Sequence, residues 1–213
     1  MSKMKIVLGV GINDAEYKVT YNKCPIEITV SGNKKREHCP YYRKWKAMLS
    51  RCYSEKSHNK YPTYKECVVC EDWLLFSNFR KWMITQEWEG LQLDKDLLVF
   101  NNKVYSPETC VFIHRKVNNF LEDSIECHTP YWSEERGKYT VSCRDPMGKH
   151  SPYLGRFTDL SEAEKVYKDK KYEYACALAG SEYVADDRVA EALRKRYKKL
   201  QSCRRSYKEI EER

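Results

Sequence analysis

Lys138-Tyr139-Thr140-Val141-Ser142-Cys143-Arg144 is the stretch on which the fold turns. Its residues alternate in character, so an extended chain sends Tyr139, Val141 and Cys143 to one side and Lys138, Thr140, Ser142 and Arg144 to the other. Asp145-Pro146-Met147-Gly148 comes next as a turn, and Ser151 to Phe157 reads as the next strand. A helix is then expected, N-capped by Ser161 with Glu164 as the capping-box partner. It would bury Ala163, Val166, Tyr167, Tyr174 and Leu178 and stop near Gly180. Residues 129–180 therefore predict a small sheet resting on a helix.

Outward from this unit, Val189, Leu193, Tyr197, Leu200 and Tyr207 form the apolar stripe of a last helix that begins near Asp186. Residues 186–213 hold ten Lys/Arg against six Asp/Glu, a net of +4, so 181–213 reads as a basic C-terminal helix. On the other side, Cys39-Pro40 opens a helix in which Tyr42, Trp45, Met48, Leu49 and Cys52 share a face. The polar stretch Ser54 to Lys60 predicts a loop. Trp73, Phe76, Phe79, Trp82 and Met83 then recur at helical spacing. A hairpin comes after it, with Leu91 to Phe100 turning at Asn101-Asn102 into a strand at Val104, and then a strand from Cys110 to Ile113 and a helix from Arg115 to Leu121. Residues 1–38 read as strands and turns, with Ile26, Ile28 and Val30 alternating ahead of Ser31-Gly32-Asn33, and are expected to pack on the 39–128 segment. The class is α+β, with segments 1–38, 39–128, 129–180 and 181–213.

The chain has 213 residues, of which 41% are hydrophobic and 13% aromatic, which excludes wholesale disorder. With 39 Lys+Arg against 31 Asp+Glu the net charge is +8, a balance that favours a polyanionic partner. The apolar run Ile6 to Ile12 ends at Asn13-Asp14 with no small-residue cleavage site, a poor match to a leader peptide. No apolar stretch approaches the roughly 20 residues of a membrane span. The ten Cys are therefore expected to be free or metal-bound thiols in a reducing, cytoplasmic setting with no membrane contact.

Two resemblances sharpen this. Trp45-x-x-Met48-Leu49-x-Arg51-Cys52-Tyr53, Pro62-Thr63-Tyr64, Val69-Cys70-x-x-Trp73-x-x-Phe76-x-x-Phe79, Leu93-Asp94-Lys95-Asp96 and Tyr105-Ser106-Pro107-Glu108-Thr109-Cys110-x-Phe112 together resemble a family of bacteriophage and prophage proteins described as HNH-endonuclease-like. The likeness extends upstream to Gly9-Val10-Gly11-Ile12-Asn13-Asp14-Ala15 and covers roughly residues 9–121. Gly137-Lys138-Tyr139, Arg144-Asp145-Pro146, Leu154-Gly155-x-Phe157, Ala163 and Tyr167 are similar to the ethylene-response-factor-type DNA-binding domain. The first resemblance implies a degenerate ββα-metal hairpin and helix in a bacterial host cell. The second implies three antiparallel strands on a helix, with the exposed sheet face entering the major groove.

The first resemblance places Asp94 at the family's metal-binding Asp, Lys95 at its catalytic His, and Asn118 near the helix ligand. Thr109 stands where the family has Asn. A lysine titrates near 10.4 and a histidine near 6.5, so Lys95 between two carboxylates holds phosphate better than it activates water. Asp94, Asp96, His114 and Asn118 could still grip Mg²⁺ or Mn²⁺. The alternative is that both carboxylates are loop groups paired to Lys95 and that His114 is a cap. Cys67-x-x-Cys70 has zinc-knuckle spacing, with Cys39, Cys52 and Cys110 as partners to consider. Along one helix Cys39 and Cys52 would lie about 18–20 Å apart, leaving Cys52, Cys67, Cys70 and Cys110 as the zinc set. The alternative there is small buried core thiols. For DNA, Lys138, Ser142, Arg144, Tyr153 and Arg156 would line the reading face with Trp132 beside them, against the alternative of a solvated surface. Three functions are compatible with these residues: a duplex-DNA-binding protein of nuclease descent, an active metal-dependent nicking endonuclease, or a protein that binds a host or defence protein.

Overall fold

The structure is a computed structural model that describes residues 4–22, 36–126, 130–148 and 150–202. In chain order its elements are β1 (Lys5–Val7), β2 (Gly11–Asn13), β3 (Thr20–Asn22), β4 (Arg36–His38), α1 (Pro40–Tyr53), α2 (Glu55–Lys60), β5 (Val68–Val69), α3 (Glu71–Leu74), α4 (Phe76–Ile84), β6 (Gln92–Asp94), β7 (Val104–Tyr105), β8 (Val111–Ile113), α5 (Arg115–Glu126), β9 (Tyr131–Ser133), β10 (Lys138–Ser142), β11 (Tyr153–Phe157), α6 (Leu160–Ala179) and α7 (Asp187–Ser202). The class is α+β. The chain divides into two compact units, residues 1–89 with 99–112 and residues 90–98 with 113–213. No helix among the described residues is long and apolar enough to cross a membrane. The alternation at Ile26, Ile28 and Val30, the turn at Ser31-Gly32-Asn33 and the stripe residue Tyr207 lie outside the described residues.

The first unit is built on α1, where Tyr42, Trp45, Met48, Leu49 and Cys52 are all buried, as their spacing predicts. The Trp45 indole N–H donates to the carbonyl of Trp73 at 2.7 Å, so the largest core side chain leaves no polar atom unsatisfied. Antiparallel β1–β2 lies on this helix: a Cβ on Gly11 would stand 2.9 Å from the Trp45 ring and nearer still to Leu49. Three expectations change. The aromatic run from Trp73 to Met83 is not one helix: Leu75 is extended between α3 and α4 and bridges Ile12, and Asp14 supplies the missing cap by accepting from Ser77 N–H at 2.9 Å. Residues 55–60 form α2 rather than a loop, and His58 Nε2 meets the carbonyls of Arg51 and Cys52 at 3.1 Å each, answering the end of α1. Val104–Tyr105 does not form a hairpin with the strand from Leu91, because β7 pairs in parallel with β5.

In the second unit β9, β10 and β11 form an antiparallel sheet with β10 in the centre, and α6 packs against it. Asp159, not Ser161, caps α6: its carboxylate accepts from Glu162 N–H at 2.8 Å, and Glu164 pairs with Lys168 instead. The cap lies two residues early because Asp159 is already extended and within reach of that N–H. Helix α6 ends at Gly180 and buries Ala163, Tyr167 and Leu178 as expected, but Val166 and Tyr174 are only half-buried while Lys168 and Lys171 are buried. The cause is that α7 covers a second side of α6. Lys171 Nζ sits 4.3 Å from the centre of the Phe120 ring of α5, and Tyr197 of α7 donates to the Phe120 carbonyl at 3.4 Å. Val189, Leu193, Tyr197 and Leu200 bury the stripe of α7.

Candidate functional site

Strand β6 ends in a tight turn that gathers the sequence's candidate catalytic pair. The Asp94 carboxylate accepts backbone N–H groups from Asp96 at 3.1 Å and from Leu97 at 2.8 Å, closing the turn on itself. Lys95 is 6% exposed and donates to Asp96 at 2.8 Å. Burial, followed by the charge of Asp96, pushes the Asp94 carboxyl up to about 6, against the Leu97 and Asp96 N–H groups and the Lys95 ammonium that favour its ionised form. At the start of α5, His114 Nδ1 accepts from Lys116 N–H at 3.1 Å, and its ring lies 4.7 Å from that of Tyr183. Asn118 donates to Glu122 at 2.7 Å. Among the described residues no three His, Cys, Asp or Glu side chains gather where they could hold a metal ion, so Asp94, Asp96 and His114 are not brought together as a ligand set. In this arrangement the Asp94 carboxylate serves the turn at the end of β6, Asp96 serves Lys95, and His114 serves the first turn of α5.

The zinc residues separate in the same way. Cys52, Cys67 and Cys110 are buried thiols outside any disulfide, and Cys70 is half-buried. Cys67 points its thiol at the Thr63 carbonyl, 3.8 Å away, and burial pushes the Cys70 thiol above its ordinary range. These four do not form a cluster either.

The sheet of the second unit presents a different surface. Register fixes its faces, because residues directly opposite one another on neighbouring strands share a side. Tyr139 faces Trp132 and Phe157, and Val141 faces Gly155. Val141 is fully buried, so this is the side against α6. The opposite side carries Lys138 beside Ser133, Thr140 between Tyr131 and Arg156, and Ser142 beside Tyr153. Lys138 and Arg156 are exposed, as are Tyr131 and Tyr153, and the Arg156 guanidinium lies 5.6 Å from the centre of the Tyr153 ring. None of the three strands contains an Asp or Glu. Carboxylates enter only in the connections: Glu134 and Glu135 between β9 and β10, and Asp145, which accepts from Met147 N–H at 2.8 Å. Arg144 is exposed just beyond β10.

The structure thus gathers Lys138, Ser142, Tyr153 and Arg156 on one face, with Arg144 at its edge. It places Trp132 on the other side, its ring 4.8 Å from that of Tyr139. Tyr131, not Trp132, is the aromatic residue that β9 gives to the open face, and sequence reasoning missed it. Only the pairing of β9 with β10 distinguishes the two neighbours, and the sequence does not contain that register. Alternation predicts an exposed Thr140, yet it is 6% exposed, flanked by its two long cross-strand neighbours. Gly155 has φ of +143°, and a Cβ there would come within 3.0 Å of the Phe157 ring, so this glycine is needed where the β10–β11 register shifts. Comparison of the chain with protein-family models, with curated proteins and with solved structures finds no match.

Proposed function

We propose that the protein binds duplex DNA through the open face of the β9–β11 sheet. One observation carries the reading: a sheet side turned away from its helix, with exposed Lys138, Arg156, Tyr131 and Tyr153 and no carboxylate in any strand. Cations neutralise phosphate, and a two-stranded β-ribbon is narrow enough for the major groove. Arg156 can donate to guanine edges, and the tyrosines offer apolar contact to sugars and thymine methyl groups. The net charge of +8 favours the encounter from a distance.

In this reading the 94–97 turn is scaffold: Lys95 pairs with Asp96, and the Asp94 carboxylate accepts the Asp96 and Leu97 N–H groups. Phage-type ancestry, a bacterial cytoplasm and a nuclease past belong to the resemblance at residues 9–121, in which the 94–97 turn would persist as scaffold. No feature of the described residues favours a host-protein partner over DNA.

The test is anisotropy of a labelled duplex across a salt series. Three cations at the face predict a log–log slope of about −3, a loss of roughly 50-fold between about 50 and about 200 mM salt. Binding that stays flat over that range would sink the reading.

A further inference from the structure

We propose that Thr140 is a contact residue of this face, its hydroxyl held for a hydrogen-bond acceptor of the duplex that Arg156 also reaches. The inference rests on the DNA-binding reading above and names a residue within it.

Thr140 occupies the middle position of the middle strand, with Tyr131 on one side and Arg156 on the other. It is 6% exposed, and its hydroxyl oxygen is buried without a hydrogen-bond partner. A buried hydroxyl with no partner is unfavourable, and a strand does not require one at this position. Valine has the same branched shape and the same preference for strands, and would fill the site without a polar atom to satisfy. A threonine whose hydroxyl is unmet within the chain is accounted for if the missing partner arrives from outside, as a flanking exposed side chain, Tyr131 or Arg156, moves aside to uncover it.

The surroundings say what that partner is. Alternation sends the Thr140 side chain to the face opposite Val141, so the hydroxyl belongs to the open side of the sheet and not to the core against α6. Its neighbours there are a guanidinium, an exposed tyrosine and, two residues along β10, Lys138 and Ser142. The cations favour an anionic or electron-rich acceptor oxygen, and no carboxylate in the strands competes for them. The Arg156 guanidinium lies over the Tyr153 ring, which holds it at the face while leaving its N–H edges to a ligand. A phosphate oxygen and a guanine edge both present such an acceptor.

Thr140→Val and Thr140→Ser in the full chain test this. Removing a hydroxyl that nothing in the protein meets should leave the melting temperature unchanged or higher, while duplex affinity falls by about five- to ten-fold. Thr140→Ser keeps the hydroxyl and should restore binding. A loss that is equal on all duplexes assigns the acceptor to the backbone, and a loss confined to some sequences assigns it to a base edge. Thr140→Val that binds as tightly as the wild type overturns the inference and leaves the DNA-binding reading standing. Thr140→Val that melts markedly lower also overturns it, because the hydroxyl is then satisfied within the protein. Wild-type protein without salt-dependent duplex binding overturns the reading and the inference together.

Discussion

Lys95 and Arg156 are cations of the same compact unit in opposite surroundings. Lys95 is buried and held at 2.8 Å by the carboxylate next to it, in a turn whose other carboxylate already accepts two backbone N–H groups. Arg156 is exposed, with a tyrosine ring beneath its guanidinium and an unmet hydroxyl at its side. The first group has been used up by its neighbours, while the second still has donors to offer. A string of charged residues does not separate these cases. What separates them is whether each donor and acceptor is answered within a few residues of itself.

The largest change expected in this contrast comes from Gly155→Ala. A side chain at φ of +143° and 3.0 Å from Phe157 should cost roughly 2–4 kcal/mol and disturb the sheet. Chemical denaturation should register the loss, and duplex affinity should fall with it. Full affinity in a destabilised Gly155→Ala chain would place the DNA surface elsewhere.

Next comes Arg156→Ala, for which about 1–3 kcal/mol of duplex binding is at stake, together with a salt slope shallower by about one. Because the side chain is exposed, the melting temperature should hold. The same experiment on Lys95→Met should give the reverse pattern. Removing a buried cation that faces a partly exposed carboxylate should cost roughly 1–2 kcal/mol of stability and leave DNA affinity alone. The contrast breaks if Lys95→His nicks supercoiled plasmid in Mg²⁺ or Mn²⁺ and a further Asp94→Ala stops it.

The smallest effect is a pH dependence. Because the folded Asp94 carboxyl titrates near 6, above its value of about 3.9 in an unfolded chain, folding favours its protonated form. That contribution is fully present below about pH 4 and is lost as pH rises through 6. Asn cannot ionise and can keep an oxygen for the Asp96 and Leu97 N–H groups. Asp94→Asn should therefore match the wild type near pH 4 and exceed it by on the order of 1 kcal/mol above pH 7, measured with a chelator present. Equal stability at both ends would mean that Asp94 ionises freely.

Much of the fold is legible in the sequence wherever one periodicity meets one buried side. Helix α1 buries each residue that its 3.6-residue spacing selects, and β10 sends Val141 and Lys138 to opposite faces. The reading weakens where a second contact intervenes. Helix α6 takes a sheet on one side and α7 on another, so Lys168 and Lys171 are buried where a single stripe would leave them in water. Leu75 breaks an aromatic run because Ile12, far away in sequence, bridges it. Within the candidate face, Lys138, Ser142 and Arg156 follow from alternation and register. Choosing Tyr131 over Trp132 depends on cross-strand pairing alone, and the burial of Thr140 depends on the long side chains that flank it.

The cysteines of the described residues give the protein built-in clocks. Cys39, Cys52, Cys67 and Cys110 are buried thiols of the first unit, outside any disulfide, and Cys143 is buried in the second. A thiol inside a packed core meets an alkylating reagent only when its surroundings open. Pulsed alkylation with peptide mass analysis would time the opening of each unit in one sample, with no substitution in the sequence. Comparing Cys143 with the thiols of the first unit, which include the zinc candidates Cys52, Cys67 and Cys110, would then show whether the two units unfold together or in turn.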